Sequence, residues 1–195
     1  MIGIDKVIAL RRRKVGAFDN NPKERQPASG VHVDQTPKAS HARVDLHLPK
    51  EAPELVKHRF QIINLWRPIN VPAYDWPLAV CDYRSIDPKK DLVPVTLRYP
   101  DRNGETFGVS YNPEHKWKYL KGMTPDEFIL IKWQVSSNSD MLYHCLHYCV
   151  ITSFDSQDDG NTALLTPHTA FEDPTTPADA PLRQSIELRA LVFYD

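Results

Sequence analysis

Proline is the residue type that most limits what this chain can fold into. Of the 195 residues, 17 are proline and only 7 are glycine. A proline inside a helix removes a backbone hydrogen bond and clashes with the preceding turn, whereas loops, helix starts and strand edges accept it. We therefore expect a β-rich α+β protein with short helices and long connections. The length is sufficient for one domain with a sizeable core.

The C-terminal segment carries the clearest strand pattern in the chain. Polar residues occupy every second position there, namely Arg183, Ser185, Glu187 and Arg189, and from Ser185 onward they alternate with the apolar residues Ile186, Leu188 and Ala190. Because strand side chains point to alternate faces, one face holds two guanidiniums, a hydroxyl and a carboxylate. Such a face is ordinarily a solvated surface. A binding site is the other interpretation, and His168 a short distance upstream favours it.

A His-Val-Asp triplet near the N-terminus extends this interpretation. His32 and Asp34 are two residues apart, so on a strand they share a face and can reach one metal ion. Taken alone, such a triplet is more often part of a surface strand. With His168 it forms the two-histidine, one-carboxylate ligand set of non-haem iron(II) centres, which leaves coordination positions open. Arg183 and Ser185 would then hold the carboxylate of an oxo-acid co-substrate.

Prolines and turn residues divide the rest of the chain into short predicted elements. Strands are predicted over residues 1–10, 60–69, 92–99, 105–111, 117–119 and 128–133, two short helices within 37–59, and a helix start at 124–127. The basic run 11–14 is interpreted as a solvated turn rather than a nuclear signal or a phosphate contact. Cys81 is interpreted as a buried thiol. His41, His47 and His58 receive no ligand role.

Charge and cysteine content exclude several classes of protein. A net charge of −1 creates no overall field that would attract nucleic acid or an acidic membrane. Three cysteines without regular spacing do not make a disulfide framework, which fits a reducing compartment. The sequence shows neither a signal peptide nor an apolar run long enough to cross a bilayer. We expect a soluble, cytoplasmic protein with a small molecule as its partner, and the sequence leaves its oligomeric state open.

Nine sequence segments distributed along the chain together form a specific family pattern. They are RRRK, HVDQTPKA, RFQIINLWRPI, DWPLAVCDYRSID, DLVPVTLRYPDRNGET, YNPEHKW, MTPDEFILIKW, HTAFEDPTTP and SIELRALVFYD. Together they resemble a fungal family of hydroxylase/desaturases of the aspergillic-acid pathway type, with gibberellin desaturase-like and cephem-methoxylase-like relatives. The resemblance covers nearly all of residues 11–195 apart from one gap.

The resemblance implies an iron(II)- and 2-oxoglutarate-dependent oxygenase in a single domain over residues 1–195. The implied fold is a double-stranded β-helix, a jelly-roll or cupin-like core with short flanking helices. The implied reaction is the hydroxylation or desaturation of a small molecule in fungal secondary metabolism.

Site residues follow from the same resemblance. It puts His32, Asp34 and His168 at the positions of metal ligands. It puts the co-substrate at Arg183, Ser185 and Arg189, and leaves open which of the two arginines binds it. The expected substrate-side residues are Trp66, Arg67, Asp82, Arg84 and Trp117.

Two departures from the family pattern affect the domain. Family members usually carry a longer portion before the RRRK string, so we expect the fold to be incomplete at its N-terminus, with open sheet edges. In the family, the residues that correspond to Trp133 and Phe154 follow each other directly. In this chain, residues 134–153 separate them. We interpret about 135–153 as a translated, unspliced intron, because Gln-Val-Ser can be encoded by the consensus start of an intron.

The interrupting segment has a metal-binding interpretation of its own. It contains His144, Cys145, His147 and Cys149, which are ligand types that zinc accepts. They lie too close together for the usual zinc site, which pairs ligands a few residues apart and completes the set from a distant segment. We therefore prefer the intron interpretation.

Three other functions compete with the oxygenase. The first is a truncated, non-catalytic family member. The second is a zinc-dependent hydrolase that uses the same His-Asp-His set with an activated water, and it gives Arg183 and Ser185 no task. The third, a methyltransferase, is disfavoured because the seven glycines form no Gly-x-Gly loop for an adenosyl cofactor.

Overall fold

A computed structural model describes residues 2–16, 25–131, 148–149, 152–158 and 163–194, with the backbone alone described for 2–8, 131, 148–149 and 152–153. The strands are β1 (Ile2–Arg12), β2 (His32–Val33), β3 (Phe60–Pro68), β4 (Leu78–Cys81), β5 (Leu92–Arg98), β6 (Asn103–Val109), β7 (Trp117–Tyr119), β8 (Phe128–Ile131), β9 (Tyr148–Cys149), β10 (Thr152–Asp155), β11 (His168–Ala170) and β12 (Gln184–Phe193). The helices are α1 (Pro37–His47), α2 (Ala52–Leu55) and α3 (Pro88–Asp91), with a 3-10 turn at Tyr83–Ser85.

The described residues form two six-stranded sheets. One has the order β1-β12-β3-β8-β9, with β10 also paired to β3, and the other has the order β5-β6-β2-β11-β4-β7. The pairings between these strands are antiparallel, apart from the parallel contact of β8 with β9. The predicted β-rich chain with few, short helices is confirmed. None of the described helices is long and apolar enough to cross a membrane.

Prolines set the helix starts, as expected. Thr36 caps α1, because its hydroxyl accepts a hydrogen bond from the backbone N–H of Ala39 at 3.2 Å, and Pro37 occupies the first turn. The helix ends at His47, just before the turn that contains Pro49. α2 begins at Ala52 with Pro53 in its first turn. The two short helices predicted within residues 37–59 are therefore confirmed.

The core has two apolar clusters. The first lies under α1 and α2 and consists of Val44, Ala52, Phe60, Ile62, Phe154, Leu191 and Phe193. The second consists of Trp66, Ala73, Leu78, Met123 and Ile129. Full burial of one large apolar side chain stabilises a fold by roughly 1.5–3 kcal/mol. Both clusters use the inward side of β3, where Phe60, Ile62, Asn64, Trp66 and Pro68 follow each other at every second position.

The predicted hairpin is confirmed as β5 and β6, which pair from Leu92–Val109 to Arg98–Asn103. The predicted helix start at 124–127 is wrong. The backbone N–H and hydroxyl of Thr124 both bond to Glu127 Oε2, at 2.7 and 3.0 Å, and close a turn. The turn leads directly into β8, whose residues Ile129, Leu130 and Ile131 pair with β3.

The predicted interruption at 134–153 lies mostly outside the described residues. His144, Cys145 and His147 belong to the part that the structure does not describe, and for Cys149 only the backbone is described. The zinc interpretation of these four residues stays untested.

Candidate metal centre

Two neighbouring strands bring the predicted ligands together. His32 in β2 and His168 in β11 are direct register partners, and Asp34 follows β2 immediately. The ligand atoms of these three residues all lie within 4.8 Å of one another. His32 Nε2 lies 3.8 Å from Asp34 Oδ1, and His168 Nε2 lies 3.9 Å from Asp34 Oδ2. These separations suit three groups that share one metal ion as ligands.

Backbone carbonyls orient both imidazoles. His32 Nδ1 lies 2.7 Å from the carbonyl oxygen of Gly30, and His168 Nδ1 lies 3.0 Å from that of Thr166. A carbonyl can only accept, so each Nδ1 carries the proton and each Nε2 of a neutral ring presents its lone pair. Burial, followed by the nearby His168, lowers the pKa of His32 and favours the neutral, metal-binding form.

Asp34 is the anionic member of the set. Burial by itself would raise the pKa of its carboxyl, but Arg189, His168 and His32 lower it more, so the net pKa lies well below the usual range. The carboxylate is therefore ionised at neutral pH. Two imidazoles and one carboxylate form the facial ligand set of non-haem iron(II) sites.

Arg189 is committed to protein partners on every nitrogen. Its Nη2 lies 3.1 Å from Asp34 Oδ2 and 3.2 Å from Glu187 Oε1, and its Nε donates to Asn64 Oδ1 at 3.0 Å. The Gln35 amide, with its oxygen turned to the guanidinium, accepts from Nη1 at 3.2 Å. Arg189 therefore belongs to the surroundings of Asp34.

Arg183 and Ser185 differ in this respect. Both are buried, with exposed fractions of 2% and 1%, yet Arg183 Nε and Ser185 Oγ have no hydrogen-bond partner among the described residues. The Arg183 Nη1 donates to the carbonyl of Trp76, and its guanidinium lies 5.3 Å from the centre of the Trp66 ring. Burial and the neighbouring Arg11 lower the pKa of Arg183 to about 9, so the group stays cationic at neutral pH. Buried donors of this kind are costly unless something accepts from them.

The three metal-ligand candidates and Arg183 line a common cavity, whereas Ser185 and Arg189 are not among its lining residues. Its lining residues are Arg11, Ala28, His32, Asp34, Trp66, Leu78, His168, Ala170, Arg183 and Glu187. The metal-ligand candidates and one cationic side chain thus share a cavity that has an apolar wall. Such a combination is typical of a small-molecule site.

Of the five predicted substrate-side residues, Trp66 alone lines this cavity. Arg67 points to the outer face of β3 because it follows the inward Trp66 directly. Asp82 and Arg84 bond to each other, and Asp82 also caps the 3-10 turn. Trp117 lies on β7, at the edge of its sheet, and is 38% exposed. These four side chains stand apart from the cavity.

Sequence reasoning missed three residues that belong to the site. Asn64 donates to Asp34, Glu187 accepts from Asn64 and Arg189, and Arg11 lines the cavity although it lies in the basic run interpreted as a turn. The one usable signal is the amide of Asn64 within the apolar run of β3. Burial, and then the nearby Asp34, raise the pKa of Glu187.

The chain is similar to several known fungal proteins. The chain is 39% identical over 164 residues to aspirochlorine biosynthesis protein N of Aspergillus oryzae, covering 83% of this chain and 59% of that protein. It is 36% identical over 180 residues to hydroxylase/desaturase efuI of Hormonema carpetanum, covering 87% and 52%. The sequence model of a family described as an oxidoreductase/YMDC permease-like domain matches residues 5–149 and 146–193. The chain belongs to the fungal hydroxylase/desaturase family.

A solved structure extends the likeness of this hydroxylase/desaturase-family chain to the whole fold. The iron and alpha-ketoglutarate-dependent endoperoxidase NvfI superposes with a TM-score of 0.78 at 29% sequence identity, over 99% of this chain and 62% of that one. The predicted family resemblance is confirmed. The chain spans between half and three fifths of the length of the curated relatives described above.

Proposed function

We propose that this chain is an iron(II)- and 2-oxoglutarate-dependent oxygenase that hydroxylates or desaturates a small molecule of fungal secondary metabolism. It uses one domain over residues 1–195, with a double-stranded β-helix, or jelly-roll, formed by the two sheets. The printed names of its relatives, a biosynthesis protein, a hydroxylase/desaturase and an iron-dependent endoperoxidase, support this class of reaction.

The observation that carries the proposal is the orientation of the three ligand groups. Gly30 and Thr166 hold the Nδ1 protons of His32 and His168, so both Nε2 atoms face the carboxylate of Asp34. This donor set fits ferrous iron and leaves coordination positions for further ligands.

Two buried donors without a partner in the described part of the chain, one directly before β12 and one in it, indicate whether an oxo-acid fits the site. Arg183 Nε and Ser185 Oγ are buried and unpartnered among the described residues, and the two residues lie on the same face of the chain. A carboxylate that accepts from both would satisfy each donor and neutralise the buried guanidinium. Arg183 and Ser185 are therefore the residues that would bind the far carboxylate of 2-oxoglutarate.

The positions of the side chains indicate what the protein contributes to the reaction. When bound, iron(II) with 2-oxoglutarate and dioxygen supplies the oxidising power that removes hydrogen from an unactivated carbon. His32, Asp34 and His168 hold the metal, and Arg183 orients the co-substrate. Trp66 and Leu78 supply an apolar wall that shields the reacting carbon from water.

The direct test is the conversion of 2-oxoglutarate to succinate by the purified chain, loaded with iron(II) under anaerobic conditions and then exposed to oxygen. We expect succinate from the wild type and none above background from His32→Ala or Asp34→Ala. His58→Ala is the matched control, because His58 is an exposed histidine away from the cavity and should retain turnover.

The same assay separates the competing functions. A folded wild type that binds iron(II) but forms no succinate would contradict the oxygenase and support the truncated, non-catalytic member. A zinc-dependent hydrolase would act without oxygen and without 2-oxoglutarate, and Arg183→Met would not alter its rate.

A further inference from the structure

We propose that Arg189 and Asn64 are positioning residues that hold the Asp34 carboxylate at the metal centre. The inference rests on the proposed function, because it assigns a task to residues around the same centre. It also gives Arg189 a role that differs from that of Arg183.

The contacts converge on a single atom. Asn64 Nδ2 donates to Asp34 Oδ2 at 2.5 Å, and Arg189 Nη2 lies 3.1 Å from the same oxygen. A carboxylate oxygen offers two lone pairs, and these two donors occupy both. The two donors therefore hold Asp34 Oδ2 in place beside His32 and His168.

The two donors are themselves held in place. Asn64 and Arg189 are direct register partners on β3 and β12, and Arg189 Nε donates to Asn64 Oδ1 at 3.0 Å. Glu187 Oε1 accepts from Asn64 and from Arg189, each at 3.2 Å. Each donor therefore bridges the same two carboxylates, those of Asp34 and Glu187. Because two adjacent strands supply this arrangement, the position of Asp34 depends on the sheet rather than on its loop.

A further contact fixes the residue next to Asp34. Arg189 Nη1 lies 3.2 Å from the Gln35 amide oxygen, in the orientation in which that oxygen also accepts from Arg43. Gln35 is buried, and the Arg189 guanidinium contacts two successive side chains after β2, those of Asp34 and Gln35. Partners in this outer layer usually orient metal ligands, and their replacement typically weakens metal binding.

The test measures metal binding without turnover. Cobalt(II), which has a visible ligand-field spectrum, is titrated into the apo-protein by absorption and by calorimetry, in the absence of oxo-acid. We expect Asn64→Ala and Arg189→Gln to bind cobalt(II) about 10- to 100-fold more weakly than the wild type, with an altered spectrum. Arg189→Lys should recover part of the loss, because it restores the positive charge.

Arg183→Met serves as the matched comparison, because Arg183 lies directly before β12 and lines the cavity. We expect it to bind cobalt(II) with wild-type affinity and spectrum but to lose affinity for 2-oxoglutarate in a titration of the cobalt-loaded protein. Arg84→Met, at an arginine that pairs with Asp82 away from the cavity, should change neither quantity. A purely structural role of Arg189 would not produce this separation between the two arginines.

Several outcomes would overturn the inference. Unchanged cobalt(II) affinity in folded Asn64→Ala and Arg189→Gln is one. Loss of 2-oxoglutarate binding with intact cobalt(II) binding in Arg189→Gln is another, because Arg189 would then contact the co-substrate. If circular dichroism shows that both variants are unfolded, a folded Arg189→Lys decides, and loss of 2-oxoglutarate binding with wild-type cobalt(II) binding in that variant would refute the inference. A wild-type chain that does not bind cobalt(II) at all would instead refute the proposed function.

Discussion

His32 and His168 lie opposite each other on adjacent antiparallel strands, with their ring centroids 4.5 Å apart and their planes inclined by 56°. Their Nε2 atoms both face Asp34, which follows directly after β2. A metal ion bound by the three residues would link β2 to β11 and hold the start of the segment that leads into α1. Metal binding is therefore expected to stabilise the fold as well as to supply the chemistry.

Iron(II) should raise the melting temperature of the protein. A ligand at a free concentration of 100 times its dissociation constant stabilises the native state by about 2.7 kcal/mol. For a chain of this size, about 1 kcal/mol shifts the melting temperature by roughly 2–4 °C, so a rise of about 5–10 °C is expected. Calorimetry under anaerobic conditions, with and without iron(II), measures this shift. His168→Ala should abolish it and His58→Ala should retain it, and an equal shift in both variants would contradict a site at His168.

Replacement of Arg183 by methionine should raise the Michaelis constant for 2-oxoglutarate. A hydrogen bond to a charged group contributes about 1.5–3 kcal/mol, which corresponds to a loss of about 10- to 100-fold. The steady-state rate of succinate formation at varied 2-oxoglutarate concentration measures the effect. Arg84→Met is the control, because this exposed arginine is paired with Asp82. An unchanged Michaelis constant in Arg183→Met would show that another group binds the co-substrate.

Asp91 should make the stability of the protein depend on pH in the acid range. Its buried carboxylate lies 2.9 Å from His115 Nε2, accepts from the backbone N–H of Asp87 at 2.8 Å, and lies 3.3 Å from the Asn112 amide nitrogen. The hydrogen bond from His115, followed by that from Asp87, lowers the pKa of Asp91. A pKa lowered by folding contributes stability above the unfolded value, near 4, that is lost as the pH falls through the folded value.

Urea unfolding at different pH values tests this expectation. At pH 6, Asp91→Asn should unfold at a lower urea concentration than the wild type, and the difference should shrink as the pH falls below about 4. Asp101→Asn is the control, because Asp101 is an exposed residue in the β5–β6 turn. A difference between Asp91→Asn and the wild type that stays constant from pH 6 to pH 3 would show that the carboxylate charge is not the cause.

β10 continues β8 along the same edge of β3. Ile131 pairs with Asn64, Thr152 pairs with Ile63, and Phe154 pairs with Ile62 after a one-residue bulge. In the ladder along β3, residues 152 and 153 therefore occupy the two positions between those of Ile131 and Phe154. Removal of residues 134–153 would leave Lys132 and Trp133 in those two places. The number of residues in the ladder is the same, so every later side chain would keep its face of the sheet.

We therefore predict that the chain without residues 134–153 folds with a melting temperature equal to or above that of the full chain. Closure of a loop of about 20 residues costs roughly 2–3 kcal/mol of chain entropy, which the shortened chain avoids. A deletion of equal length at 137–156 is the matched control, because it removes Phe154 from the core and the ion pair of Asp155 with Arg59. That control should not fold.

A shortened chain, lacking 134–153, that unfolds while the full chain is stable would contradict the interpretation of this segment as an interruption. Sequencing of spliced transcripts across the codons of Trp133 and Phe154 tests its origin as an intron. The presence of the segment in all mature messages would exclude that origin.

The sequence by itself determined the local elements and the chemical type of the site. Period-two alternation identified β12, and the same rule put His32 and Asp34 on one face. Prolines restricted the helices to short segments such as α1 and α2. These features depend on steric limits within a few neighbouring residues, which the order of amino acids states directly.

Tertiary structure alone decided which face of β12 points inward and which arginine is committed to Asp34. Arg183 and Arg189 are equivalent in the alternation of polar and apolar residues. Arg189, however, is the register partner of Asn64 on β3 and donates a hydrogen bond to its side chain, whereas Arg183 lies beside Trp66. Strand order and register, set by burial over the whole sheet, produce that difference. The contact of His168 with His32 has the same origin, because it joins residues more than a hundred positions apart. No local pattern encodes such a pairing.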